Sequence, residues 1–215
     1  MAQKEEEFYE ACREGNLENV IILSLIQDSR FVNQIDVNWR NPNHNYWTGF
    51  HSSCREGRKE IVEYLISHPK INVNKESNSG KTPLYLACLK EKGEIVKILL
   101  KDERVSVNKE DALGVTPLYT ACRWGKEEIV KILFASGREI DTTKKTIPGN
   151  ESWNNKTAAE IARKDVLGSG KGEQIAKLVD EYAKNPMEII LRLRNEMSKY
   201  FLIVQIYSQQ NHLQN

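Results

Sequence analysis

The chain repeats itself at a fixed step. Thr48, Thr82 and Thr116 lie 34 residues apart, and so do Cys54, Cys88 and Cys122 and the pairs Ile61-Val62, Ile95-Val96 and Ile129-Val130. A period of this length means one supersecondary unit per copy. No copy can bury its apolar face alone, so the copies must stack.

The clearest copy runs from Gly114 to Leu133 and reads as two short antiparallel helices. Thr116 caps the first, and Pro117 follows at the first helical position, where its missing N–H is no loss. Leu118, Ala121 and Cys122 share one apolar face. Gly125 stands where a left-handed residue ends the helix. Glu127 and Glu128 open the second helix at its positive end, and Ile129, Val130, Ile132 and Leu133 give it a broad apolar stripe. Thr82-Pro83-Leu84-Tyr85-Leu86-Ala87 and Thr116-Pro117-Leu118-Tyr119-Thr120-Ala121 resemble the Thr-Pro-Leu-His-x-Ala signature of the ankyrin-repeat family. The resemblance extends over roughly residues 5 to 182. It implies an all-α stack of helix-turn-helix units with β-hairpin fingers, a protein-binding role, and no catalysis.

On that register residues 1–183 form a repeat domain of about five units, the first and last degenerate, and 184–215 form a C-terminal capping helix and tail. Ala11-Cys12-Arg13-Glu14-Gly15 aligns with Ser53-Cys54-Arg55-Glu56-Gly57, but eight surplus residues separate these two units, with Asn41-Pro42-Asn43 as a turn among them. The second unit departs from the signature at Gly49 and Phe50 and keeps the histidine, His51, which the family uses to link a helix start to a neighbouring repeat. In the third unit Glu91 replaces the glycine of Gly57 and Gly125, so its inter-helix loop is expected to differ. The fourth finger carries seven extra residues around Lys144–Trp153 and reads as a mobile loop. Met187, Ile190, Leu191, Met197, Phe201 and Val204 recur at helical spacing and place an amphipathic helix over 186–206, expected to dock on Ile175, Leu178 and Val179. The uncharged run Tyr200–Tyr207 is apolar all round and is a second route by which an otherwise monomeric chain associates.

Composition excludes several classes. Thirty-one Lys and Arg against 30 Asp and Glu leave a net charge of +1, which argues against a nucleic-acid or membrane-surface binder. No apolar run approaches the ~20 residues of a membrane span, and the charged start Met1–Glu7 is no signal peptide. Cys12, Cys54, Cys88 and Cys122 fall at one place in successive units, roughly 10 Å apart, too far for a disulfide, whose α-carbons lie within about 7 Å. They read as buried thiols in a reducing, cytoplasmic or nuclear, setting. Gly168-Ser169-Gly170 lacks the spacing of a phosphate-binding loop. The four histidines pair with no Cys or carboxylate at ligand spacing, and no catalytic signature occurs. The expectation is no metal, no cofactor and no enzyme.

The resemblance assigns contact residues to the finger tips and to the ends of the first helices. Mapped here, the partner-binding set is Trp47, Arg55, Lys81, Leu89, Lys90, Leu113, Val115, Arg123 and Trp124. Trp and Arg dominate binding hot spots. The sequence therefore describes an adaptor that holds a partner protein, or alternatively a regulatory or targeting subunit of an enzyme whose catalysis lies on another chain.

Overall fold

A computed structural model describes residues 2–25, 35–148, 155–164, 168 and 170–212, with side chains from Gln3 to Lys199 within those ranges. Eleven helices form among them: α1 Ala2–Glu14, α2 Leu17–Leu25, α3 Gly49–Glu56, α4 Lys59–Ser67, α5 Pro83–Leu89, α6 Gly93–Lys101, α7 Pro117–Arg123, α8 Glu127–Ala135, α9 Ala158–Arg163, α10 Gly172–Lys184 and α11 Pro186–His212. The first helices pack in series, α1 on α3, α3 on α5, α5 on α7 and α7 on α9. The second helices α2, α4, α6 and α8 form a parallel rank, and α10 touches α7, α8 and α9. One core runs through every unit, from Phe8 and Cys12 through Leu84 and Leu118 to Ile175 and Leu193.

The period sets the local chemistry. Thr48, Thr82, Thr116 and Thr157 each accept the N–H three residues on, at 3.1–3.3 Å. All four cysteines are free and buried, and burial pushes each thiol up from its ordinary range. Gly49 stands where α5 and α7 carry proline because a Cβ there would lie 2.7 Å from Cys12 Sγ. The loop after α5 does not differ as expected. Glu91 takes the left-handed conformation at φ 55°, and Lys92 N–H reaches Ala87 O at 2.9 Å as Lys126 N–H reaches Ala121 O at 2.8 Å. The Lys126 ammonium, 2.6 Å from the Glu91 carboxylate, offsets part of that backbone strain.

The fingers are turns rather than β-hairpins. Among the described residues no strand forms; one isolated antiparallel bridge pairs Asn41 with Trp47. Single bonds close the next two fingers, Ser77 N–H to Lys81 O and Asp111 N–H to Val115 O, both 3.0 Å. The second bond in each is to a side chain, Lys81 N–H to Ser77 Oγ at 3.1 Å and Val115 N–H to Asp111 Oδ1 at 3.0 Å. Their tips are joined instead: Asn78 N–H donates to Asn45 O, Ala112 N–H to Ser79 O and Ile147 N–H to Leu113 O, at 2.9–3.0 Å. The extra finger residues 149–154 lie outside the described residues.

Two side-chain clamps tie each unit to the next. Asn38, Asn74 and Asn108 each donate to a carbonyl of the following unit (Lys70, Arg104, Glu139) and accept from an N–H two residues further on, at 2.6–2.9 Å. Arg104 donates to Ile66 O in the last turn of α4 at 2.6 Å, and Arg138 to Leu100 O and Asp102 O at the end of α6 at 3.4 and 3.0 Å. These carbonyls have no partner within their own helices. At α8 the corresponding bonds come from α11: Arg194 donates to Ala135 O and Ser136 O at 2.7 and 3.1 Å.

Helix α11 lies on α8 and α10. Its buried face is Ile189, Ile190 and Leu193, with Met197 half-buried behind them. Met187 and Leu191, expected on that face, are 64% and 55% exposed. The helix is apolar on more than one side here, so periodicity alone could not choose the docked one. Side chains of the run Tyr200–Tyr207 lie outside the described residues.

The contact at Gly49 is testable. Gly49→Ala should destabilise by about 1–3 kcal/mol, the usual cost of overpacking. In a Cys12→Ala background the same change should cost less, since the 2.7 Å contact with Sγ is gone while those with the residue 12 Cβ and the Phe8 ring, at 3.1 and 3.2 Å, remain. Equal costs by urea denaturation in both backgrounds would refute the contact.

Candidate protein-binding surface

Five of the nine expected contact residues belong to the first helices or the residues that end them. Arg55 lies in the last turn of α3, Leu89 ends α5 and Arg123 ends α7, while Lys90 and Trp124 are the residues just past α5 and α7. Trp47, Lys81, Leu113 and Val115 belong to the three fingers. Three cations of the set lie near ring faces. The Arg55 guanidinium lies 5.4 Å from the Trp47 ring centroid, the Lys81 ammonium 5.4 Å from that of Tyr85, and the Arg123 guanidinium 5.6 Å from that of Trp124. Three successive units thus each present a cation seated on an aromatic face.

Exposure sorts the set. Leu113 at a finger tip is 52% exposed and Trp124 is 38% exposed. Lys90 is exposed, and Trp47, Arg55, Lys81, Leu89 and Arg123 are half-buried. Trp47 and Leu89 lean on the core, and the Trp47 indole N–H is buried with no partner among the described atoms. Val115 is a correction. It is 3% exposed and belongs to the core. The backbone and side chain of Ile147, from the lengthened fourth finger, come up beside Gly114 and cover this part of the third finger. Val115 therefore offers no surface.

The repeat register places His44 and Asn45 at the tip of the first finger and misses Tyr46 beside them. Its bridge spans Asn41 to Trp47, two residues more than the closing bonds of the next two fingers. Asn45 and Tyr46 both adopt positive φ, 53° and 56°, an uncommon choice for an aromatic residue. Tyr46 is 42% exposed, with the Arg40 guanidinium 5.0 Å from its ring. His44 stacks on Tyr9 of α1 at 5.2 Å. The readable signal was the surplus length before Thr48; that it would raise Tyr46 as well as His44 and Asn45 was not readable.

His51 holds two units together. Its Nδ1 accepts from the Thr48 N–H at 3.1 Å, and its Nε2–H donates to Lys81 O at 3.0 Å. Both nitrogens are thereby used by a neutral ring. Burial lowers its pKa to about 4 from the ordinary 6.5. On Tyr85, burial raises the hydroxyl to about 12, and the nearby Arg123 charge opposes the rise. Among the described residues no cluster of three or more His, Cys, Asp or Glu could hold a metal ion, and no helix is long and apolar enough to cross a membrane.

Helix pairs in series, capped by threonine and linked through finger turns, define a helical repeat protein. A family model described as ankyrin repeats (three copies) matches residues 8–111 and 71–146. The chain belongs to the ankyrin-repeat family. Ankyrin repeats are in general protein–protein interaction modules. No curated protein matches the chain.

Protonation should report on His51. Above pH 6.5 the neutral ring is fully stabilising. As pH falls from 6.5 towards 4 the unfolded chain takes up a proton that the folded chain refuses, so stability declines; below about 4 both forms are protonated and this contribution levels off. Between pH 7 and pH 5 the loss should be about 2 kcal/mol, at about 1.4 kcal/mol per pKa unit. His51→Gln should remove that part of the slope. Identical slopes for the two proteins in urea unfolding would contradict the assignment.

Proposed function

We propose that this protein is a non-catalytic interaction scaffold or adaptor. It holds a partner protein in the groove that the family's fingers and first helices line, using Trp47, Arg55, Lys81, Leu89, Lys90, Leu113, Arg123 and Trp124. The observation that carries the reading is Trp124. A tryptophan 38% exposed with the Arg123 guanidinium 5.6 Å from its ring centroid is apolar area whose burial by a partner is favourable, in a residue pair enriched at hot spots. The proposal contains no catalytic step, cofactor or metal. His51, the most deeply buried histidine among the described residues, is already committed to structural bonds at both nitrogens.

Residues 1–183 serve in this reading as the binding domain and 184–215 as the helix that closes it. Arg194 and the Ile189-Ile190-Leu193 face of α11 support that division, because they complete α8 as a further unit would. Four buried free thiols support a reducing compartment, which we take to be the cytoplasm.

The double variant Arg123→Ala, Trp124→Ala should fold as the wild type does and bind its partner at least about fivefold more weakly, the ~1 kcal/mol scale of a hot-spot residue. Affinity capture from cell extract, wild type beside variant, measures this. If the variant retains the same proteins in the same amounts, the surface is misplaced.

A further inference from the structure

We propose that Arg40 and Lys75 form a site for a phosphate monoester carried on the partner protein. The proposal rests on the reading of the chain as a partner-binding protein and adds a contact beside the first two fingers. Its origin is a break in a ladder of charges. Val37-Asn38-Trp39-Arg40, Val73-Asn74-Lys75-Glu76 and Val107-Asn108-Lys109-Glu110 stand in register. The acid of one unit takes a lysine of the next: Glu76 holds Lys109 at 3.0 Å and Glu110 holds Lys144 at 2.7 Å. At the first step the acid is missing. Arg40 stands where Glu76 and Glu110 stand, so the register sets Lys75 beside a second cation instead of a carboxylate.

Nothing in the surroundings neutralises this pair. Among the described residues no carboxylate lies within ion-pair distance of Arg40 or Lys75. Asp36 accepts the Asn38 N–H at 2.9 Å, and Glu76, next to Lys75 in sequence, is held by Lys109. Both cationic side chains are half-buried, so water and salt screen them less than a fully exposed lysine. Burial is the main cause of the low His51 pKa, and the Arg40 and Lys75 charges both add to it. The two cations therefore act on one point in the fold.

Arg40 is already held in place. Its Nε–H donates to Tyr46 O at 3.3 Å, and its guanidinium carbon lies 5.0 Å from the Tyr46 ring centroid. A side chain anchored at two points loses less freedom on binding. Its terminal nitrogens have no protein partner among the described residues, and their N–H groups match two oxygens of a phosphate. Lys75 supplies a point charge. Two cations without a counter-ion suit a dianion better than a single carboxylate, and a phosphate monoester carries nearly two charges at neutral pH. Tyr46, 42% exposed, offers its ring to the chain that bears the phosphate.

The probes are a short glycine-serine peptide with one central phosphoserine, the same peptide with serine there, the same with glutamate, and inorganic phosphate. Each is titrated into the full chain and followed by heteronuclear NMR at the Arg40 Nε–H signal. The phosphoserine peptide should bind at least about fivefold more tightly than the glutamate peptide, and the serine peptide should not bind. Lys75→Gln should weaken phosphopeptide binding at least about tenfold. A second measurement tests the broken ladder. Lys75→Gln should raise the urea midpoint in the wild type, where it removes a like charge, and lower it in an Arg40→Glu background, where it breaks a restored pair. A shift of the same sign in both backgrounds would overturn the site. So would equal binding of the phosphoserine and glutamate peptides, or a Lys75→Gln variant that binds as the wild type does. Inorganic phosphate binding as tightly as the phosphopeptide would overturn it in favour of free phosphate. Trp124→Ala should leave this titration unchanged, so failure of the groove appears in partner capture and failure of this site in the titration.

Discussion

Each helix pair in this chain is left incomplete by its own residues and finished by its neighbour. Helices of seven to nine residues are too short to persist alone in water, and each ends on carbonyls it cannot satisfy. The next unit supplies what is missing. It covers the apolar face with Leu84, Leu118 and their equivalents and reaches back with Arg104 and Arg138, while Asn38, Asn74 and Asn108 reach forward to it from the unit before. An array built this way has an unfinished end. Helix α11 meets that need at α8, where Arg194 takes the carbonyls and passes so close over Gly137 that a Cβ there would lie 2.6 Å from its guanidinium.

The same dependence explains what could be read in advance. The threonine caps, the cysteine column and the Ile-Val faces were legible because repetition multiplies a weak local signal by the number of copies. The asparagine clamp was legible in principle, since Val37-Asn38, Val73-Asn74 and Val107-Asn108 recur, but its meaning depends on a carbonyl in another unit. Arg194 comes from outside the period and carried no signal. Transfer by register failed where the residue type changes: the position that carries half-buried Trp47 and Lys81 in the first two fingers carries Val115 in the third, and that side chain joins the core. Glu91 misled in the opposite direction, since the backbone kept the left-handed turn without its glycine.

The proposed binding surface inherits its geometry from this scaffold. His51 fixes the carbonyl of Lys81, the residue whose ammonium lies over Tyr85, so a buried bond in one unit positions a surface cation in the next. The finger tips are bonded one to another through their backbones, which holds their exposed side chains at set distances. Among the first three fingers, the longer first one departs from this uniformity, with Tyr46 in an uncommon backbone conformation and exposed beside Arg40. Side chains held at fixed intervals suit recognition of a repeating feature in a partner.

That units complete one another, and that α11 completes the last, is tested most directly by amide hydrogen exchange on the intact chain and on a chain ending at Lys184. Removing α11 should expose the face of α8 and α10 and free the carbonyls of Ala135 and Ser136. Protection should then fall most in α8 and α10, less in α6 and α7, and least in α1 and α3. Unchanged protection in α8 and α10, or a uniform fall along the whole chain, would contradict the account.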